Sequence, residues 1–135
     1  MRTSVPYSFF IRKCVSIKSK EKMTKIKENV AIQFVKGVNE KDYPEIRLYR
    51  NLDGKKGKAV YKFYKPTTIT LANYKSVQKM YLFDSEGELS TKKIDLTISE
   101  DHVREVKSTF SWNSEKEFER FMRFASRHAN SMTLN

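Results

Sequence analysis

The residues SEKEFERFMRFA, positions 114–125, decide the fold because they carry a helix start, an apolar face and a charged face. The Ser114 hydroxyl can accept a hydrogen bond from the Glu117 amide while the Glu117 carboxylate reaches back to the Ser114 amide, which predicts a capping box. At about 100° per residue, one side of the helix collects apolar residues and the opposite side collects cations. The apolar side holds Phe118, Phe121, Met122, Ala125 and Ala129, and the cationic side holds Lys116, Arg120, Arg123 and Arg127.

The cationic side of this helix has two interpretations. It is either a solvated face, with Glu119 placed to pair with Arg123 at i,i+4, or a docking surface for an acidic partner. Phe124 lies off the apolar side, towards the border of the cationic one. It therefore either closes the rim of the core or contacts a partner directly.

Runs of residues that alternate in polarity precede the helix and predict β-strands. Strands are expected at 30–35, in a hairpin over 45–64 with its turn at 51–57, at 77–83, at 89–98 and at 103–111, while 67–73 is either a short strand or an extended connection. The predicted fold is α+β: an antiparallel β-sheet built of hairpins, as a partly open sandwich or barrel, with one C-terminal α-helix covering a sheet face.

Length and charge divide the chain into a front segment and one domain. The 135 residues carry a net charge of +11, of which residues 1–29 hold +6, with eight Lys or Arg against two Glu. The remaining part, residues 30–135, is long enough for a single domain with one modest core. Its mildly basic charge permits nucleic acid, acidic protein and anionic lipid as partners alike.

The front segment resembles an addition to the domain. Residues 1–20 contain no Asp or Glu and hold five cations and four serines, a profile shared with organelle transit peptides. Alternatively, Met23 is the biological start and the preceding residues are a translated upstream extension, or the segment is a functional basic arm. In each case we expect residues 1–29 to be disordered.

Sites for catalysis, cofactors and metals are not indicated. Cys14 is the only cysteine, and His102 and His128 have no neighbouring ligands at zinc spacing. The four glycines do not form a phosphate-binding motif, and no stretch approaches the roughly 20 apolar residues of a membrane span. We therefore expect no enzyme activity, no cofactor and no metal.

Two motifs, MYLFDSEGEL at 80–89 and FMRF at 121–124, make the chain similar to the Psb28 family of photosystem II assembly proteins. Supporting pieces follow in the same order along the chain: IQF at 32–34 with Gly37-Val38, IRL at 46–48 with Arg50, and Asp53-Gly54 with Gly57 and Ala59. The resemblance runs from about Ile32 to Ala129. The chain departs from the family pattern before about Thr24 and within residues 65–76.

This resemblance implies a water-soluble, non-enzymatic assembly or repair factor. It would bind transiently to the cytoplasmic or stromal face of an immature photosystem II containing the inner chlorophyll-binding antenna protein. Relatives of this kind contact the reaction-centre subunits over the secondary quinone pocket, where a subunit loop can pair with the sheet. The expected location is the stromal side of a plastid thylakoid membrane, as a peripheral protein, or a cyanobacterial cytoplasm if the front segment is not part of the natural protein.

Binding by such a protein is expected to combine an open strand edge, whose free backbone groups a partner strand can satisfy, with basic side chains. The candidates for acidic or phospholipid contacts are Arg47, Arg50, Lys58, Arg120, Arg123 and Arg127. For each of them, a solvated charge is the alternative interpretation. The protein is expected to be a monomer, with dimerisation through the open edge as the alternative.

A basic single-stranded nucleic-acid-binding module is the alternative function. Its stacking face would be formed by Tyr49, Tyr61, Phe63 and Tyr64 among Arg47, Arg50, Lys58 and Lys62. Alternation distributes these aromatic residues over both faces of the hairpin, and no RNP-like run is present. Nucleic acid is therefore not expected as a partner.

Overall fold

The computed structural model describes residues 4–6 and 29–133, which form nine β-strands and one α-helix. The strands are β1 (Ser4–Pro6), β2 (Ala31–Val35), β3 (Val38–Asn39), β4 (Glu45–Asn51), β5 (Gly57–Tyr64), β6 (Met80–Asp84), β7 (Gly87–Thr91), β8 (Ile94–Ile98) and β9 (Val103–Trp112). A short 3₁₀ helix spans Tyr74–Ser76, and the helix α1 spans Glu115–Thr133.

The strands of this described part form two antiparallel sheets. One has the order β1-β4-β5-β9-β8 and the other the order β3-β2-β6-β7. The core consists of buried side chains from both sheets and from α1. The sheets do not close into a barrel, so the predicted α+β class with an open antiparallel arrangement and one C-terminal helix is confirmed.

The hairpin predicted over residues 45–64 is present as β4 and β5. Ile46 faces Tyr61 and Leu48 faces Ala59 across the strands, and all four side chains are buried. The intervening turn is closed by a hydrogen bond from the Asn51 amide to the Lys56 carbonyl of 2.8 Å. Because the period of a strand is two, the residues between these four point away from the core.

The prediction of a single return strand over residues 89–98 is wrong. The chain breaks at Lys92-Lys93, so that β7 lies in the four-stranded sheet and β8 in the five-stranded sheet. The break is held by Thr91, whose hydroxyl donates to the Thr109 carbonyl at 2.6 Å and accepts from the Lys93 amide at 3.2 Å. This crossing connects the two sheets.

The segment at 67–73, predicted as a strand or an extended connection, is a connection rich in turns. The buried Glu40 carboxylate holds its start: it accepts hydrogen bonds from the amides and hydroxyls of both Thr67 and Thr68, at 2.6–3.2 Å. A carboxylate with four donors is well satisfied, so it fixes a loop that lacks strand partners.

Helix α1 begins after Ser114 as the capping pattern predicts. The Glu117 amide donates to the Ser114 hydroxyl at 3.1 Å, but the Glu117 carboxylate accepts from the Asn113 amide, one residue earlier than expected. Phe121 stacks against Phe110 and Trp112, with ring centroids 5.4 Å apart in both pairs. The predicted apolar side therefore packs on strand β9.

Phe124, at the border of the predicted faces, lies in the core with none of its surface exposed. Its ring stacks on His128, which in turn stacks on Tyr43 at a centroid distance of 5.0 Å. Of the two interpretations of Phe124, packing within the core is the one observed. The packed face of α1 is thus wider than the sequence pattern indicates.

Of the front segment, the structure describes residue 29 and Ser4–Pro6, which form β1 and pair with Tyr49–Asn51 of β4. Residues 1–3 and 7–28, including Met23, lie outside the described residues. The expected disorder of residues 1–29 therefore stays a prediction for them. Within the described ranges, no helix is both long enough and apolar enough to span a membrane.

Candidate functional site

Three of the candidate arginines lie on α1 and contact the turn between β6 and β7. Arg120 forms two hydrogen bonds with the Asp84 carboxylate, of 3.0 and 2.7 Å. Arg123 does the same with Glu86, at 2.7 and 3.0 Å, instead of pairing along the helix with Glu119. Each arginine is thus bound by a carboxylate of the protein itself, and the cationic side of the helix is largely neutralised there.

Arg127 joins the two carboxylates into one network. Its Nη1 atom lies 2.9 Å from Asp84 Oδ2 and 2.7 Å from Glu86 Oε2. The Asp84 side chain has no exposed surface, whereas that of Arg127 is 26% exposed. Bidentate and shared geometry of this kind makes charge-assisted hydrogen bonds that hold α1 to the turn.

The network shifts the titration of both carboxylates. Burial raises the pKa of Asp84, but hydrogen bonds from Arg120 and Arg127 outweigh it, so that this pKa lies below its ordinary value. Hydrogen bonds from Arg123 and then Arg127 lower the pKa of Glu86 to about 2. Both side chains are therefore ionised throughout the physiological range.

Arg50 is also engaged within the protein. Its guanidinium lies 4.0 Å from the centre of the Phe118 ring, and Nη2 donates to the Gly54 carbonyl at 2.5 Å. It therefore braces the β4–β5 turn against α1. Four of the six candidates, Arg50 and the three helix arginines, are parts of the internal packing.

The other two candidates, Arg47 and Lys58, lie on the outer face of the five-stranded sheet. They line a shallow depression of about 330 Å³. Its lining residues are Glu45, Arg47, Tyr49, Lys58, Val60, Lys62 and Lys107. We call this set the outer basic face; it carries four cations and one carboxylate.

Glu45, the one carboxylate of the outer basic face, is already occupied. It accepts a hydrogen bond from the Tyr64 hydroxyl at 2.9 Å and from Arg47 Nη2 at 2.9 Å, and these two bonds lower its pKa. Lys58 and Lys62 lie over the rings of Tyr49 and Tyr64, at 5.6 and 5.8 Å from the centroids. Attraction for an anion thus remains at the lysines of this face.

An open strand edge, the second part of the predicted binding mode, is present at β8. In the described residues this strand pairs only with β9, where Asp95 faces Lys107 and Leu96 faces Val106. The Thr109 amide donates to the Lys93 carbonyl, and bonded and non-bonded pairs alternate in antiparallel ladders. The backbone groups of Ile94 and Leu96 therefore point away from β9.

The aromatic face required by the nucleic-acid alternative is not formed. Tyr61 and Phe63 are at most 1% exposed and belong to the core, so only Tyr49 and Tyr64 of the four proposed rings face outward. Two rings at different registers provide no continuous platform on which successive bases could stack. The structure removes the principal support for that alternative.

The family model described as "Psb28 protein" matches residues 32–135, which is most of the chain. The chain belongs to the Psb28 family. Similar members include the "Photosystem II reaction center Psb28 protein" of Prochlorococcus marinus strains NATL2A and NATL1A, both 83% identical over 113 residues that cover 84% of this chain and all of each relative. The protein of the same name from strain MIT 9211 is 42% identical over 107 residues, which cover 79% of this chain and 92% of that relative.

The predicted resemblance to the Psb28 family is thereby confirmed, but sequence reasoning missed part of the site. It assigned no pairing to Asp84 and Glu86, although two acids between the strands predicted at 77–83 and 89–98 and three arginines along one helix side are a signal for pairing. It also missed Lys107, which alternation from the buried Val106 could have placed on the outer face.

Proposed function

We propose that this Psb28-family protein is a non-enzymatic assembly or repair factor that binds transiently to immature photosystem II. The observation that carries the proposal is the 83% identity to two proteins named for the photosystem II reaction center. An assembly factor must bind and then leave, which favours a contact of moderate strength over a permanent interface. The open β8 edge offers a contact of this kind.

In this proposal a loop of a reaction-centre subunit adds a strand to the edge of β8. The free backbone groups at Ile94 and Leu96 would form the new ladder, and the alternating side chains of the loop would set its register. Ile98 is 39% exposed and extends the edge with an apolar surface that the partner can cover. Pairing through the main chain supplies affinity, while the side chains supply specificity.

The outer basic face supplies the second contact. Arg47 and Lys58, with Lys62 and Lys107, would meet acidic groups of the reaction-centre subunits or of the inner chlorophyll-binding antenna protein. Such charges act mainly on the rate of association and on orientation. Arg120, Arg123, Arg127 and Arg50 contribute by holding α1 and the two turns in place, and the exposed half of Arg123 remains available to a partner.

The proposed location is the thylakoid membrane, on its cytoplasmic side, as a peripheral protein. The named relatives are cyanobacterial, which favours a cyanobacterial cytoplasm over the plastid stroma expected from the front segment. A protein tagged at its C-terminus should co-migrate with native photosystem II complexes after gentle solubilisation of thylakoids. The expected complexes contain the inner antenna protein and lack oxygen-evolving activity; recovery only with mature dimers, or with no photosystem subunit, would overturn the proposal.

A further inference from the structure

Leu52 is the most exposed large apolar side chain of the described residues, at 80% of its surface. It stands in the turn between β4 and β5, at the end of the hairpin. Single exposed apolar residues are common on protein surfaces and do not by themselves mark a site. The charges around Leu52 and the rigidity of its turn distinguish this position.

Exposed cations follow Leu52 closely in the sequence. Lys55 and Lys56 are both exposed, and Lys58 follows at the start of the outer basic face. Asp53, the acidic residue of the turn, accepts a hydrogen bond from the Lys55 amide at 2.9 Å. Its carboxylate is therefore partly satisfied within the turn, while the ammonium groups of Lys55 and Lys56 extend into solvent.

The turn that presents these residues is firmly held. The Asn51 amide donates to the Lys56 carbonyl and the Gly54 amide to the Asn51 carbonyl, at 2.8 and 2.9 Å. Arg50 adds the bond to the Gly54 carbonyl while it packs on the Phe118 ring. Little conformational entropy remains to be lost when such a turn binds, so even a small contact area can contribute.

These features match a membrane surface better than a protein partner. A protein interface depends on a cluster of buried anchors within a patch of about 1,200 Å² or more. One aliphatic side chain flanked by lysines has no such cluster, yet it combines an apolar anchor with cations for lipid headgroups. Attraction of the lysines to an anionic bilayer and removal of an aliphatic side chain from water both favour binding at such a surface.

We propose that the β4–β5 turn is a direct contact with anionic lipid headgroups, with Leu52 inserted into the bilayer interface and Lys55, Lys56 and Lys58 against the headgroups. This contact does not depend on photosystem II, and the proposed assembly role can fail without affecting it. It would be weak and reversible, which suits a protein that searches a membrane surface for its complex.

The test is flotation of the full-length protein with vesicles of phosphatidylcholine containing about 30 mol% phosphatidylglycerol, compared with pure phosphatidylcholine vesicles. The protein should bind the anionic vesicles only, and more weakly as salt rises. Leu52→Ser should lower the partition coefficient about tenfold. Lys55→Ser with Lys56→Ser should lower it about 30-fold.

Matched variants elsewhere keep the test specific. Leu71→Ser removes another exposed leucine, 42% exposed, and Lys92→Ser with Lys93→Ser removes two exposed lysines outside the turn. These controls should bind vesicles nearly as well as the unaltered protein. Equal losses for turn and control variants, or no binding to anionic vesicles, would overturn the proposal.

Insertion can be followed separately from charge attraction. Leu52→Cys in a Cys14→Ser background provides a single thiol for an environment-sensitive fluorophore, and Leu71→Cys in the same background provides the control. A blue shift with anionic vesicles at position 52 and not at position 71 is expected. No shift at position 52, or a shift produced only by purified photosystem II, would assign the turn to another partner and contradict the proposal.

Discussion

Arg120 and Asp84 form a two-bond ion pair, of 3.0 and 2.7 Å, between helix α1 and the turn that ends β6. The Asp84 side chain has no exposed surface and that of Arg120 is 19% exposed. The residues are 36 positions apart in the chain, so the pair connects the C-terminal helix to the four-stranded sheet. The same turn carries Glu86, and both carboxylates also accept a hydrogen bond from Arg127.

Replacing Asp84 should destabilise the protein strongly. Asp84→Asn removes the charge that accepts two hydrogen bonds from Arg120 and one from Arg127, and breaking a largely buried ion pair of this kind costs about 3 kcal/mol. Urea denaturation followed by circular dichroism measures the free energy of unfolding. Asp95→Asn, at an exposed position of β8, should change it by less than about 0.5 kcal/mol. Equal effects of the two variants would contradict a structural role for the network.

Acid should destabilise the protein through His128. Burial lowers the pKa of this histidine to about 4, so it is neutral in the folded protein at pH 5 while the unfolded chain binds a proton below about 6.5. The free energy of unfolding should therefore be nearly unaffected by His128 above about pH 7 and fall by about 2 kcal/mol between pH 7 and pH 5.

The control for this pH dependence is a non-titrating residue of similar shape. His128→Phe keeps an aromatic ring that can stack on Tyr43 and Phe124. This variant should abolish the loss of unfolding free energy between pH 7 and pH 5. His102→Phe, at an exposed position, should retain it. If the slope persists in His128→Phe, another group carries the dependence.

Gly57 is required for a close approach between β5 and its neighbours. A Cβ atom at this position would clash with the Tyr49 carbonyl oxygen and lie 2.8 Å from Trp112 Cζ2. Gly57→Ala should therefore lower the free energy of unfolding by about 3 kcal/mol, because the clash involves backbone and a core ring. A Cβ atom at Gly37 would have no atom within 4 Å. Gly37→Ala should therefore lower the free energy of unfolding by only about 1 kcal/mol, because the φ of +93° is unfavourable for alanine. The opposite order, measured by chemical denaturation, would refute this packing argument.

The elements with strong local signals were predictable from the sequence. The Ser114 cap and the helix period place α1, and the Asp53-Gly54 turn with flanking alternation places the β4–β5 hairpin. In residues 89–98 the apolar positions change phase, from Leu89 to Ile94, Leu96 and Ile98, across the adjacent Lys92 and Lys93. This local signal of a break was missed when a single strand was predicted. That break depends on the Thr91 hydroxyl bonding to Thr109, a contact between strands distant in sequence.

The positions of site residues were predictable only where they depend on the local strand pattern and not on contacts between distant elements. Alternation alone is enough to place Arg47 and Lys58 on the outer face of the hairpin, because the side on which a strand residue lies follows from its neighbours. The pairing of Arg120, Arg123 and Arg127 with the β6–β7 turn depends on the docking of α1 and has no local signature. Phe124 became part of the core for the same reason, since the helix is covered over a wider arc than its own pattern indicates.

Backbone pairing at the β8 edge is tested most directly by one pair of variants at Leu96. Leu96→Pro removes the outward amide and the leucine side chain, whereas Leu96→Ala removes most of the same side chain but keeps the amide. Both should remain folded by circular dichroism, since the amide of Leu96 does not pair with β9.

The decisive measurement is co-migration of these two variants with immature photosystem II on native gels. The account predicts that Leu96→Ala is retained on the complex and that Leu96→Pro is lost from it by about tenfold or more, because main-chain pairing supplies the affinity. Retention of a folded Leu96→Pro variant at the level of Leu96→Ala would contradict strand addition at this edge.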